Sequence, residues 1–169
     1  MSGASGRIVA GPETAFDDYP VDLAWLSPQR LAVGGGEGRL ATIDAGTGEL
    51  TMLGEHAPGL LRLVPLAGGA IVTTGQDGSV RRWSADGAQQ TLHRGVSWVE
   101  ALAVSHDGAK FAFAAGKSTQ VHDTSGALIR KFDPLPRAPS LAAWRGRFSE
   151  VALAAGTQAW LRRARLRRT

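Results

Sequence analysis

Four apolar segments open at Arg30 (RLAVGGG), Ala70 (AIVTTGQ), Lys110 (KFAFAAG) and Glu150 (EVALAAG), each 40 residues after the one before. A fixed period of roughly 20–50 residues means that one small unit is copied along the chain, and this limits the fold more than any composition does. The flanks keep the same step. Before each anchor lies an alternating stretch: VDLAWLS from Val21, LLRLVPL from Leu60, VEALAVS from Val99 and SLAAW from Ser140. After the first three come a turn (Glu37–Arg39, Asp77–Ser79, Gly116–Ser118) and another alternating stretch. Four units are visible, spanning about residues 17–56, 57–94, 95–133 and 134–161.

Each unit reads as an antiparallel meander. Alternation over five or six residues marks a half-buried strand, and a short unbroken apolar run such as Phe111–Ala115 fits a strand covered on both faces. Asp77 and Gly78 supply a side chain that bonds its own backbone and a residue free to take positive φ, as a tight hairpin needs. A fourth strand follows a Gly-containing turn in three units: ELTMLGE, QQTLHR and ALIRKF. With 22 Gly and 8 Pro, no window of about 11 residues keeps an uninterrupted helical stripe. The expectation is an all-β chain of four-stranded antiparallel sheets, small Ala and Gly lining the inner strands.

These features resemble the WD-repeat β-propeller family, whose units recur about every 40–45 residues with an Asp-Gly turn and a Trp-Asp ending. The second unit carries the pattern best, in Val72–Ser84 (VTTGQDGSVRRWS) with His56 upstream. The resemblance implies a structural network of His56, Thr73, Asp77 and Trp83 that braces this blade. The third unit keeps SHDG and VHD but has His122 at the Trp position, the first has Glu37 and Ile43-Asp44, and the fourth is the most eroded.

The resemblance also poses a question of number, because such propellers usually close with seven or eight blades. Four blades leave three readings: half of an eight-bladed ring completed by a second chain, a partial propeller belonging to a longer protein, or a four-bladed monomer. The fourth unit ends after its third strand. Within the N-terminal segment 1–16, a short strand near residues 7–10 is expected to pair with the strand around Ala159–Arg163 and so close the fold.

Charge and composition set further bounds. Five of the arginines lie in the stretch LRRARLRRT, and without them 14 Lys and Arg face 15 Asp and Glu. The basicity therefore belongs to a C-terminal tail, residues 162–169, and nucleic acid is not an expected partner. Cysteine is absent, which excludes disulfides and thiolate metal sites. No run reaches the roughly 20 apolar residues of a membrane span, and the expected location is cytoplasmic.

Catalytic patterns are sparse. His56, His93, His106 and His122 lie in separate loops and strands, so neither a metal nor any other cofactor is expected. His56 reads as structural, His93 as its equivalent in the next unit, and His106 as solvated. Ser105-His106-Asp107 are sequence neighbours in a turn, which does not give the spatial convergence of a triad. Gly34–Gly36 lack the helix that a phosphate-binding loop needs. Trp25, Trp144 and Trp160 read as core, whereas Trp98, with Arg81 and Arg82, is the candidate interaction surface. The expected function is a non-catalytic protein–protein interaction scaffold that completes its ring by self-association as a homo-dimer or other oligomer. The alternative is a small-ligand-binding or hydrolytic propeller with a site at the channel mouth.

Overall fold

A computed structural model of the chain describes residues 10–147 and 149–163. Among them are fifteen strands in four antiparallel sheets, each a meander in sequence order. Blade 1 holds β1 (Pro20–Ser27), β2 (Arg30–Gly35), β3 (Arg39–Asp44) and β4 (Leu50–Glu55). Blade 2 holds β5 (Leu60–Pro65), β6 (Ile71–Gly75), β7 (Ser79–Trp83) and β8 (Gln89–Arg94). Blade 3 holds β9 (Leu102–Val104), β10 (Lys110–Ala115), β11 (Ser118–Asp123) and β12 (Leu128–Lys131). Blade 4 has three strands, β13 (Leu141–Trp144), β14 (Glu150–Ala155) and β15 (Gln158–Arg163).

The 40-residue period reappears as cross-strand register. Leu23 pairs with Val33, Leu63 with Thr73, Leu102 with Phe113 and Ala142 with Leu153. Behind them, Ala32 pairs with Thr42, Val72 with Arg82, Ala112 with Val121 and Ala152 with Leu161. Because side chains alternate across a strand, these two sets mark opposite faces of every blade, a front and a back. The turns are equally strict. Gly78 sits at φ +72°, and a methyl there would lie 2.6 Å from the carbonyl oxygen of Gly95, so the turn requires glycine twice over.

Three apolar clusters join the blades. The back of blade 1 (Ala32, Leu40) packs on the front of blade 2 (Leu63, Ile71, Trp83). The back of blade 2 (Val72, Val80) packs on Leu102, Phe111 and Phe113. The back of blade 3 (Ala112, Val121) packs on Val151 and Leu153, with Trp144 and Trp160 at the margin. The first strands touch in the order β1–β5–β9–β13, and no comparable contact joins β13 to β1. The blades form an arc whose first front and last back pack against no blade among the described residues.

Three expectations are corrected here, and a fourth lies outside the described residues. Blade 4 is three-stranded, and no described strand pairs with the outer edge of β15. The closing strand expected near 7–10 lies outside the described residues except for Ala10, which is exposed and not in a strand. The boundary at 162 falls too early, because β15 continues through Arg163, whose guanidinium meets Glu150 at 2.6 Å. Trp25 is not core: it is 58% exposed on the open front of blade 1, because no preceding blade covers it.

Candidate functional site

The densest polar constellation lies within blade 2. His56, just after β4, is fully buried beside Gly75, where any side chain would collide with the imidazole. Its Nδ1 is 2.8 Å from Thr73 Oγ1, which also accepts the Trp83 Nε1–H at 2.8 Å. Its Nε2 is 3.1 Å from Asp77 Oδ1 and 2.8 Å from Ser79 Oγ. Asp77 further accepts the Ser79 N–H at 2.9 Å and Arg81 Nη2 at 2.6 Å. One neutral tautomer satisfies the whole chain: Trp83 N–H donates to Thr73, Thr73 O–H to Nδ1, and Nε2–H toward the carboxylate. The structure thus brings His56, Thr73, Asp77 and Trp83 together. Burial of so many polar groups is tolerable because each has a partner.

The electrostatics fit a neutral ring. Burial, reinforced by the Arg81 charge, pushes His56 down from its ordinary 6.5 to about 4, against the opposing pull of Asp77. Burial alone would raise Asp77, but the Ser79 N–H and hydroxyl and His56 outweigh it and hold the carboxyl near 2. A folded-state pKa below the unfolded one means that the unfolded chain binds the proton more readily. The stabilisation is therefore complete above pH 6.5 and is lost as the pH falls toward 4. The expected loss attributable to His56 between pH 7 and 4.5 is about 2–3 kcal/mol, read from urea midpoints, with a shallower pH slope in His56→Gln. His93 and His122 are also lowered, chiefly by burial, so they steepen the same decline.

Ser79, His56 and Asp77 invite comparison with a catalytic triad, and the geometry opposes it. A triad places the carboxylate on one imidazole nitrogen and the nucleophile on the other. Here Asp77 and Ser79 share Nε2, Nδ1 is engaged by Thr73, and Ser79 is fully buried. The groups hold one another and leave no open side for a substrate.

The neighbouring blades solve the same problem with other residues. In blade 1, Asp18 occupies the place beside Gly35 that His56 takes beside Gly75, and accepts the backbone N–H groups of Glu37 and Arg39 at 3.0 and 3.1 Å. In blade 3 the network becomes aromatic. Phe113 stands where Thr73 does and His122 where Trp83 does, their rings stacked at 5.3 Å. His93 does not occupy the position expected of it: Gly95 makes the backbone bond to Gly78 that His56 makes to Gly38. His93 instead leans on the Phe113 ring at 5.8 Å.

Arg81 and Arg82 are also corrected as surface candidates. Arg81 is bound to Asp77 and to the Glu55 carbonyl, and Arg82 Nε donates to the Thr124 carbonyl of the next blade at 2.6 Å. Trp98 is 57% exposed, beside a fully exposed Val96 and an exposed Arg94, in the loop joining blades 2 and 3.

Two further concavities bring ionisable side chains of different blades together. One, of about 370 Å³, lies between Ser105–Asp107, Lys110, Trp144 and Arg147. Its Ser105 Oγ–H donates to Asp107 at 2.7 Å and closes the turn, while His106 is exposed. The other, of about 190 Å³, gathers Asp22, Arg62 and Glu100 from the first strands or strand approaches of three blades. The 40-residue spacing of Asp22 and Arg62 is the signal for it, and a reading of the inner strands as Ala, Val, Thr and Gly passes over them. Among the described residues no group of three or more His, Asp or Glu is placed to hold a metal ion, and no helix is long and apolar enough to cross a membrane.

The arrangement has counterparts among solved structures. The crystal structure of the computationally designed Ika4 protein superposes with a TM-score of 0.76 at 21% identity, over 91% of this chain and 99% of that one. The chain has a β-propeller-like fold. The computationally designed Ika8 protein is also similar, with a TM-score of 0.68 at 21% identity, over 83% of this chain and 45% of that one. No protein-family model and no curated protein matches the chain.

Proposed function

We propose that the chain is a non-catalytic scaffold for protein–protein interaction, a propeller of the WD-repeat type that completes its ring by self-association. The observation that carries this reading is the internal saturation of the blade 2 constellation beside an unsatisfied apolar surface. Every side chain with catalytic potential there is bonded to another, whereas Val96 and Trp98 project from a loop held by two braced blades. Exposed aromatics flanked by arginine are the usual anchors of protein interfaces. The relay of His56, Thr73, Asp77 and Trp83 supports the WD-repeat assignment, since the resemblance in sequence led to those four residues.

The small-ligand reading has the two concavities in its favour, of which only the cleft at Asp22, Arg62 and Glu100 gathers charged groups from three blades. It is below the roughly 300 Å³ of ordinary ligand pockets, and Asp22 already accepts the Leu63 N–H at 3.0 Å. The scaffold reading is tested with a displayed peptide library selected on the wild-type chain and re-screened on Val96→Asp/Trp98→Ala. Binders are expected to lose at least tenfold in affinity on the variant. A selection that yields no binders, or binders that all bind the variant equally, overturns it.

A further inference from the structure

Each internal joint sets one blade's back on the next blade's front, and the arc leaves one of each without a blade against it. The residues on those two faces are apolar. On the front of blade 1, Leu23 is 56% exposed, while its register equivalents Leu63 and Leu102 are 3% and 8% exposed. Trp25, two residues on in unbroken register, extends the same face and is 58% exposed. On the back of blade 4, Leu161 is 69% exposed, while its equivalent Val121 is completely buried. Around it, Leu141, Ala143, Ala152, Ala154 and Ala159 form an open apolar hollow. The small residues there match the inner-joint backs, where Ala32 and Ala112 let the next blade approach. The charge nearest that hollow, Glu150, is neutralised by Arg145 and Arg163 at 2.8 and 2.6 Å.

We propose that a second copy of this chain fills both gaps, the back of blade 4 in each copy receiving the front of blade 1 of the other. The inference deepens the self-association in the scaffold reading and does not depend on the Val96–Trp98 loop. The two faces are the separated halves of a joint that the chain already makes three times, so a copy of the chain supplies the missing half in both places. A front-to-back contact is heterologous: repeated by a two-fold axis it closes a ring, and repeated without closure it gives a fibre. Ring length favours closure at two. Propellers of the family that the sequence resembles usually close with seven or eight blades, and two four-blade copies supply eight. Closure also covers two apolar faces that exposed to water would favour aggregation.

The experiment is light scattering of the full chain, alone and as Leu161→Glu, Leu23→Arg and their equimolar mixture. The wild type is expected at twice 17.7 kDa. Either variant alone is expected at the single-chain mass, because each alters both joints of its own pair. Their mixture is expected to recover the double mass, since one joint is then unaltered and the other opposes the two new charges. A wild-type chain at single mass, an open polymer, or a mixture that stays at single mass overturns the proposal. Peptide selection on the single-chain variants separates the two readings: binding at Trp98 that survives there keeps the interaction surface of the scaffold reading, while the masses alone decide its self-association.

Discussion

Phe113→Ala is expected to lower the stability of the chain by about 3–5 kcal/mol, the usual cost of emptying a large aromatic site in a core. Phe113 is completely buried, stacks on His122 at 5.3 Å and on Phe111 at 6.5 Å, and meets the His93 ring at a tilt at 5.8 Å. It occupies the register position of Thr73, so its truncation would leave blade 3 without the polar relay of blade 2 and with only the Phe111–His122 pair, at 5.4 Å, of the ring stack that replaces it. For a chain of this size each kcal/mol moves the melting temperature by roughly 2–4 °C, which puts the expected drop at about 6–20 °C by calorimetry. Phe113→Leu is expected to retain about half of the loss. A drop of less than about 1 kcal/mol in the alanine variant would mean that blade 3 is held by other contacts.

Asp77→Ala comes next, with an expected loss of about 2–3 kcal/mol. The carboxylate accepts from Ser79, His56 and Arg81, and its removal strands a buried imidazole and a mostly buried guanidinium. Breaking a fully buried ion pair costs about 3–5 kcal/mol. Asp77 retains 21% side-chain exposure and Arg81 15%, so water recovers part of that cost. Thermal and urea unfolding of the variant check the value, and an unchanged melting temperature would count against the brace.

The division of the chain into blades was legible because hairpin register is local. The 40-residue step at Arg30, Ala70, Lys110 and Glu150 became a cross-strand register, and the Asp77-Gly78 turn needs no distant partner to form. The members of the brace were legible through the WD-repeat resemblance of the second unit, and they bond because a Trp, a Thr, an Asp and a His each need a polar partner when buried. What escaped the sequence was whatever depends on a neighbouring blade. Trp25 and Trp144 occupy the same register position, yet only Trp144 has a preceding blade to lie against. Arg81 and Arg82 look like a free basic pair until Asp77 and the Thr124 carbonyl are placed beside them. The exchange of a polar relay for stacked rings in blade 3 was hidden because Gly95 holds the backbone position of His56 there and the His93 ring lies beside it, against Phe113.

The central claim is that the blade 2 constellation acts as one cooperative brace with His56 as its middle link. Thr73→Val and Asp77→Asn alter its two ends with almost no change of shape, and the two side chains meet only through the imidazole. Equilibrium urea unfolding of the wild type, both single variants and the double variant gives their coupling directly. The account predicts non-additivity of about 1 kcal/mol or more, the double variant losing less than the sum of the singles. Losses that add to within about 0.3 kcal/mol would show that the two ends act independently and would contradict it.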